Sequence, residues 1–239
     1  MTYVHKCLVV IPTFNEAENI DLLLQRLLAE VPQVDILIVD DNSPDGTAQL
    51  VAKVIAREPR VHLLSREKKE GLAFAYRAGF RWGLERGFDA FIQMDADFSH
   101  DPQDTKLLVE HLHRHDVVIG SRYIRGGGTS GWEWHRKAIS RGGNVYARLI
   151  LGVHPQDMTG GFNGWTKKAL QAIDYETVSS RGYAYQVEMK YRAIQAGFTP
   201  LEFPILFKNR TLGQSKMSSD IVFEAALRVL KLRTHKPVR

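Results

Sequence analysis

Cys7-Leu8-Val9-Val10-Ile11-Pro12-Thr13-Phe14-Asn15-Glu16 runs from an unbroken apolar stretch straight into a polar turn. An apolar run without alternation predicts a strand covered on both faces, as in a parallel sheet between two helical layers. The signature recurs at Ile36–Val39, Val61–Leu64, Ala90–Met94 and Val117–Ile119. Helical spacing fills the gaps. Ile20, Leu23, Leu24, Leu27, Leu28 and Val31 share one helix face, and Pro32 closes that helix. Asp45-Gly46-Thr47 opens a second, with Asp45 as its cap and Leu50, Val51, Val54 and Ile55 on its apolar face. A third spans roughly Gly71 to Arg86, and a fourth roughly Gln103 to His113. This β-α-β-α order implies one α/β domain on a doubly wound, mainly parallel sheet flanked by helices.

Ligands of such sheets bind beyond the carboxyl ends of the strands, and the polar clusters lie there. They are Pro12 to Glu16, Asp40-Asp41-Asn42-Ser43-Pro44-Asp45-Gly46, the stretch Gln93-Met94-Asp95-Ala96-Asp97-Phe98-Ser99-His100, and Ser121-Arg122. Asp95 and Asp97 are two apart, so a persisting strand would present both on one face. Such hard oxygen ligands suit Mg²⁺ or Mn²⁺, ions that work with substrate phosphates. One Asp-x-Asp pair is more often a loop or cap feature. Several polar clusters on one sheet edge argue for a site.

The 239 residues are 44% hydrophobic and 25% charged, a globular composition with a net charge of +5. Arg228, Lys231, Arg233, Lys236 and Arg239 account for that excess, so the basicity belongs to the tail. The single Cys7 excludes an intramolecular disulfide and reads as a buried, inert thiol. There is no signal-peptide pattern and no apolar stretch of about 18 residues or more. The expectation is a cytoplasmic protein, peripheral at the cytoplasmic face of a membrane.

After residue 120 the pattern changes. Gly126-Gly127-Gly128 reads as a flexible loop. Arg122, Arg125, Arg136, Lys137, Arg141 and Arg148 accompany Trp132 and Trp134, with Glu133 the only acid. Basic residues with aromatics fit nucleic acid or a phosphate at a membrane edge, and a solvated helix face is the plainer alternative, favoured for Arg148. From about Ser218, Ile221, Val222, Ala225, Ala226, Val229, Leu230 and Leu232 alternate with basic residues. That segment is either a packed helix or a basic amphipathic helix on anionic lipid. The expected division is a catalytic domain over 1–217 and a basic C-terminal helix or tail over 218–239.

Together these motifs resemble the family 2 glycosyltransferases of the GT-A fold, and among them the polyprenol-phosphate (dolichol-phosphate) mannosyltransferases. The resemblance covers roughly residues 6–220. It rests on Val10 to Glu16, Val39 to Thr47, Met94 to His100, Gly120-Ser121-Arg122-Tyr123, and Phe207-Lys208-Asn209-Arg210 with Gly213-Gln214-Ser215-Lys216-Met217-Ser218.

The resemblance implies that Pro12, Phe14, Glu16, Val39 and Asp41 line the nucleotide pocket for GDP-mannose. Phe14 replaces a tyrosine common there and keeps the ring. Asp95, Ala96 and Asp97 would lie along the diphosphate, and Asp97 would be the main metal ligand. Ser99, where some members carry glutamine, would reach the metal through water. Arg122, Arg136 and Ser140 match positions that hold the acceptor phosphate, and Arg210 and Lys216 match a pair on a loop over the donor phosphates. Asp95, Asp97 and Arg122 form the implied catalytic set. Asn163 replaces an arginine usual in its segment, and Gln186 and Glu188 fall on the helix that borders the sugar.

The implied reaction is metal-dependent, inverting transfer of mannose to a polyprenyl (dolichyl) phosphate at a membrane surface or beside a small membrane-protein partner. The alternatives are a UDP-sugar donor (glucose or N-acetylglucosamine) on the same acceptor, and a non-catalytic nucleotide-sugar-binding scaffold. Nucleic acid is not an expected partner.

Overall fold

A computed structural model describes residues 4–209 and 219–234, the side chains of residues 219–223 excepted. The opening apolar run is strand β1 (Cys7–Thr13), followed by α1 (Ala17–Glu30), β2 (Asp35–Asp40), α2 (Thr47–Ile55) and β3 (Val61–Ser65). Then come α3 (Leu72–Glu85), β4 (Ala90–Gln93), α4 (Pro102–Leu112) and β5 (Val117–Ser121). The five predicted strands and four predicted helices are all present, with ends shifted by a residue or a few.

Burial on both faces explains the unbroken apolar runs. Val9, Ile11, Ile36, Ile38 and Ile92 point into a core with Leu23, Leu24 and Leu27 of α1. Their neighbours Leu8, Val10, Leu37, Val39 and Phe91 point the other way, onto Tyr76 and Phe80 of α3. Each such side chain stabilises the fold by about 1.5–3 kcal/mol relative to exposure. Cys7 lies in the first core, its thiol pushed up to about 12 by burial, as expected of an inert cysteine.

The second half holds β6 (Gly128–Ser130), α5 (Trp134–Leu151), β7 (Asn163–Thr166), α6 (Lys167–Ala172), α7 (Gly182–Gln195), β8 (Leu201–Pro204), β9 (Leu206–Lys208) and α8 (Ser219–Thr234). The main sheet runs β3-β2-β1-β4-β7-β5-β8. Every pairing in it is parallel except those of β7, which is antiparallel to both β4 and β5. β7 fits there because Gly164 has no side chain: a Cβ would stand 2.2 Å from Leu108 Cδ2 of α4. Trp165 fills the opposite face and donates its indole N–H to Gln93 Oε1.

Two sequence expectations are corrected. Gly128 is not loop; it opens β6, which pairs in parallel with β9. Strand geometry does not persist to Asp95 and Asp97, because β4 ends at Gln93 and Phe98 takes a left-handed φ of 59°. The C-terminal helix α8 packs on α5 and α7, with Val229 and Leu232 against Ala147, Leu151, Val187 and Tyr191.

Candidate active site

Because β1, β2, β4 and β5 run in one direction, their carboxyl ends share an edge. Against that edge lies a cavity of ≈ 660 Å³, walled further by α5, α7 and α8. Pro12, Phe14, Glu16, Asp41, Asp95, Ala96, Asp97, Arg122, Arg136 and Ser140 all line it. Val39 does not; it is fully buried in the core against α3. Ser99 is also fully buried and outside the lining. Arg210 and Lys216 lie outside the described residues.

Side chains stitch the first two strand ends together. Asp40 turns inward and accepts from Thr13 Oγ1 (2.9 Å), Ser43 N and Ser43 Oγ. Its neighbour Asp41 consequently faces the cavity, paired with Arg66 at 2.6 Å. Burial raises the Asp41 pKa, and the Arg66 charge offsets part of that rise. Asp45 caps as expected, accepting from Thr47 N, although Gly46 is the residue directly before the helix. It also accepts from Ala17 N at 2.9 Å, which ties α1 to α2. Lys69 Nζ lies 3.7 Å from the centre of the Phe14 ring, a cation–π contact at this end of the cavity.

A tight turn carries Asp95 and Asp97. Asp97 Oδ1 accepts from Ser99 N (3.0 Å) and Ser99 Oγ, so Ser99 orients the carboxylate from behind. His100 Nδ1 accepts from Asp95 N at 3.3 Å. Burial pushes the His100 imidazole down to about 4, so it is neutral at physiological pH. It is stacked on Phe162 and meets the edge of Phe207, a supporting position rather than a reacting one.

Arg122 has a rigid mount. Its Nε and Nη2 each donate to Asp157 at 2.7 Å, and Nη2 also donates to Thr159 Oγ1 at 2.9 Å. Burial opposes both charges, yet each partner outweighs it for the other: Asp157 is held below the usual carboxylate range and Arg122 above the usual guanidinium range. The loop around Asp157 is itself clamped. Lys190 Nζ donates to the carbonyls of Asp157 (2.9 Å), Met158 (3.3 Å) and Gly160 (2.8 Å). Glu202 accepts from Gln156 N and Asp157 N, and Asn144 Oδ1 from Met158 N and Thr159 N. Burial pushes the Lys190 ammonium down to about 7, partly countered by Asp157. Further along, Arg136 lies over the Trp132 ring at 4.1 Å, and Tyr123 Oη bonds Ser140 Oγ at 2.7 Å.

The lining also has an apolar part from α5, α7 and α8: Ile139, Ala147, Val187, Ala225 and Val229, with Tyr146. The cavity thus combines carboxylate, cationic and apolar lining. Residues 8–174 match the sequence profile of Glycosyl transferase family 2. The chain belongs to that family. It is a glycosyltransferase. An undecaprenyl-phosphate mannosyltransferase of Micrococcus luteus is 46% identical over 226 residues, 95% of this chain and 93% of the relative. A polyprenol monophosphomannose synthase of Mycolicibacterium smegmatis is 44% identical, covering 94% of this chain and 85% of the relative. The fold is shared with glucosyl-3-phosphoglycerate synthase of Mycobacterium tuberculosis (TM-score 0.65, 15% identity, 96% of this chain and 79% of that one). It is shared also with a mannosyltransferase of Pyrobaculum calidifontis in complex with GDP-Man and Mn²⁺ (TM-score 0.60, 16% identity, 90% and 59%).

For this family 2 chain, some site residues were not singled out in the sequence. Lys69, Asp157, Thr159, Asn144 and Lys190 are placed by folding. Lys190 alone left a trace, a charged residue on a helix face otherwise carrying Gln186, Val187 and Ala193. Gln186 lines the cavity and accepts from Asn163 Nδ2 at 3.1 Å, so Asn163 works as a buried amide. Glu188 is buried, pairs with Arg192 and accepts from Ser180 N, away from the cavity lining. Arg148, half-buried, donates to Gln156. Among the described residues no helix is long and apolar enough to cross a membrane.

Proposed function

We propose that this glycosyltransferase moves mannose from GDP-mannose to a polyprenyl (dolichyl) monophosphate with inversion. The observation that carries the reading is one cavity lined together by the carboxylates Asp41, Asp95 and Asp97, by Arg122 and Arg136, and by apolar side chains of α5, α7 and α8. A nucleotide-sugar with its metal, an acceptor phosphate and a prenyl chain need those three kinds of lining. The names of the two relatives support the sugar and the acceptor.

The carboxylate lining fits a divalent cation. Asp95 and Asp97 offer hard oxygens, and Gly161 leaves the space in front open: a Cβ there would stand 3.7 Å from Asp95 Oδ2. No cluster of three or more His, Cys, Asp or Glu among the described residues could hold an ion alone, so substrate phosphates would complete its shell. Asp97, with Asp95 beside it, would hold Mg²⁺ or Mn²⁺, which when bound neutralises charge on the departing diphosphate.

The protein's own part is orientation. Phe14, with Lys69 above it, and Asp41 would take the nucleoside. Arg122, Arg136 and Ser140 would grip the acceptor phosphate, arginine doing so in a two-pronged fashion. A phosphate monoester has a second pKa of about 6 and is mostly dianionic at neutral pH. It needs no general base. Arg210 and Lys216 would add positive charge over the donor phosphates.

The test is a transfer assay with radiolabelled GDP-mannose, Mg²⁺ and a polyprenyl monophosphate, beside UDP-glucose and UDP-N-acetylglucosamine. A mild-acid-labile lipid-linked mannose is the expected product. Transfer from a UDP-sugar alone would replace the donor. GDP binding with no transfer from any donor would favour the scaffold.

The acceptor's home also bears on the outer face of α5. Trp134 (81% exposed), Val145 (44%) and Leu149 (77%) share that face with exposed Lys137 and Arg141. On α8, Leu227 and Leu230 are exposed beside Lys231 and Arg233. Apolar side chains among cations fit an anionic lipid surface. The protein should sediment with phosphatidylcholine–phosphatidylglycerol vesicles, and Trp134→Glu with Leu149→Glu should weaken that by about ten-fold. Equal sedimentation of the variant would remove this face from membrane binding.

A further inference from the structure

The hydroxyl of Thr159 has had its direction decided by its neighbours. A threonine hydroxyl offers one hydrogen and two acceptor lone pairs. Arg122 Nη2 donates to Thr159 Oγ1 at 2.9 Å, and Asn144 Nδ2 donates to it at 3.0 Å. Both lone pairs are taken. Among the described residues nothing accepts the remaining hydrogen, and Thr159 is half-buried in the cavity wall.

The orientation of Asn144 is fixed by the same network. Its Oδ1 faces two backbone N–H groups, those of Met158 (2.7 Å) and Thr159 (3.0 Å), so that atom must be the oxygen. Nδ2 spends its two hydrogens on Ser140 O (2.9 Å) and Thr159 Oγ1. The buried amide is fully used and cannot turn over without stranding donors. Arg122 is equally constrained by its two bonds to Asp157.

We propose that the Thr159 hydroxyl is an obligate hydrogen-bond donor to the acceptor phosphate, beside Arg122. This rests on the acceptor reading given above. With both lone pairs engaged the hydroxyl can act only as a donor, and Thr159 lines the same cavity as Arg122 and Ser140, where the acceptor phosphate would be held. A neutral donor fixed in advance adds affinity for the phosphate without adding charge, and loses no rotational freedom on binding. Asn144 is then a positioning residue: it touches no ligand, and it sets the hydroxyl's direction while tying Ser140 to the same loop.

The experiment is calorimetric binding of geranyl monophosphate and of GDP to the wild-type protein, Thr159→Val and Thr159→Ser. Valine keeps the shape and removes the hydroxyl, and Asp157 still holds Arg122 in place. Thr159→Val should bind geranyl monophosphate roughly 10–100-fold more weakly, the size expected for a hydrogen bond to a charged group. Thr159→Ser should stay within about three-fold of wild type, and GDP affinity should be unchanged in both. A shared loss of GDP and geranyl monophosphate affinity in Thr159→Val would mark the residue as merely structural and overturn the proposal. So would wild-type affinity for geranyl monophosphate. A wild-type protein that binds GDP and no geranyl monophosphate would overturn the acceptor reading itself, and this inference with it.

Discussion

Asp97→Asn should lower the transfer rate by about 10²–10³-fold while leaving the melting temperature nearly unchanged. Asparagine retains an Oδ1 that can accept from Ser99 N and Ser99 Oγ, so the turn over residues 95–100 keeps its fastening. What disappears is a negative charge in a site that is 4% exposed, where charge acts through little intervening water. On the proposed mechanism that charge holds the cation facing the leaving diphosphate. The loss should therefore fall on turnover more than on the affinity for GDP measured without metal. Ser99→Ala should sit in between, because it loosens the carboxylate without discharging it. An Asp97→Asn enzyme with wild-type turnover would detach this residue from the chemistry.

Asp157→Asn should cost about 3–5 kcal/mol, because it leaves the Arg122 guanidinium buried and unpaired. For a chain of this length that corresponds to a fall in melting temperature on the order of 10 °C. Asp157 is fully buried, and it holds Arg122 through two side-chain bonds of 2.7 Å while accepting from Arg122 N at 3.0 Å. The pH dependence follows from the depressed carboxyl pKa in the folded state. The stabilisation is complete above the unfolded carboxyl value of about 3.9 and is lost as pH falls through the lower folded value. Acid unfolding should thus lose part of its steepness in Asp157→Asn. The double variant Arg122→Met/Asp157→Leu should recover much of the stability and none of the transfer. Recovery of both would show that the pair serves packing alone.

The two halves of the chain differ in how locally their structure is encoded. Strands buried on both faces announce themselves locally, because each residue of Cys7–Ile11 or Ile36–Val39 meets one core or the other. A single side chain's position relative to the edge is a finer matter. Val39 and Asp41 are two residues apart, yet Val39 packs under α3 while Asp41 faces the cavity, since Asp40 turns inward between them. β7 carries no local signal for another reason. Its four residues carry no period long enough to read, and its place between β4 and β5 depends on Gly164 lying flush against Leu108 and Leu112 of α4.

Local patterning alone determined the parallel frame, the direction of its strands and hence the edge at which polar residues would gather. It brought Pro12, Phe14, Asp41, Asp95, Asp97 and Arg122 to one side, because strand ends in a parallel sheet share an edge whatever the remainder of the chain does. Only tertiary structure decided how Arg122 is held and what surrounds it. Asp157, Thr159, Asn144 and Lys190 come from a loop and two helices far apart in sequence, and no local period records that they meet. Their meeting is enforced by burial: a guanidinium and an ammonium removed from water must find partners, and the loop over residues 156–160 supplies them.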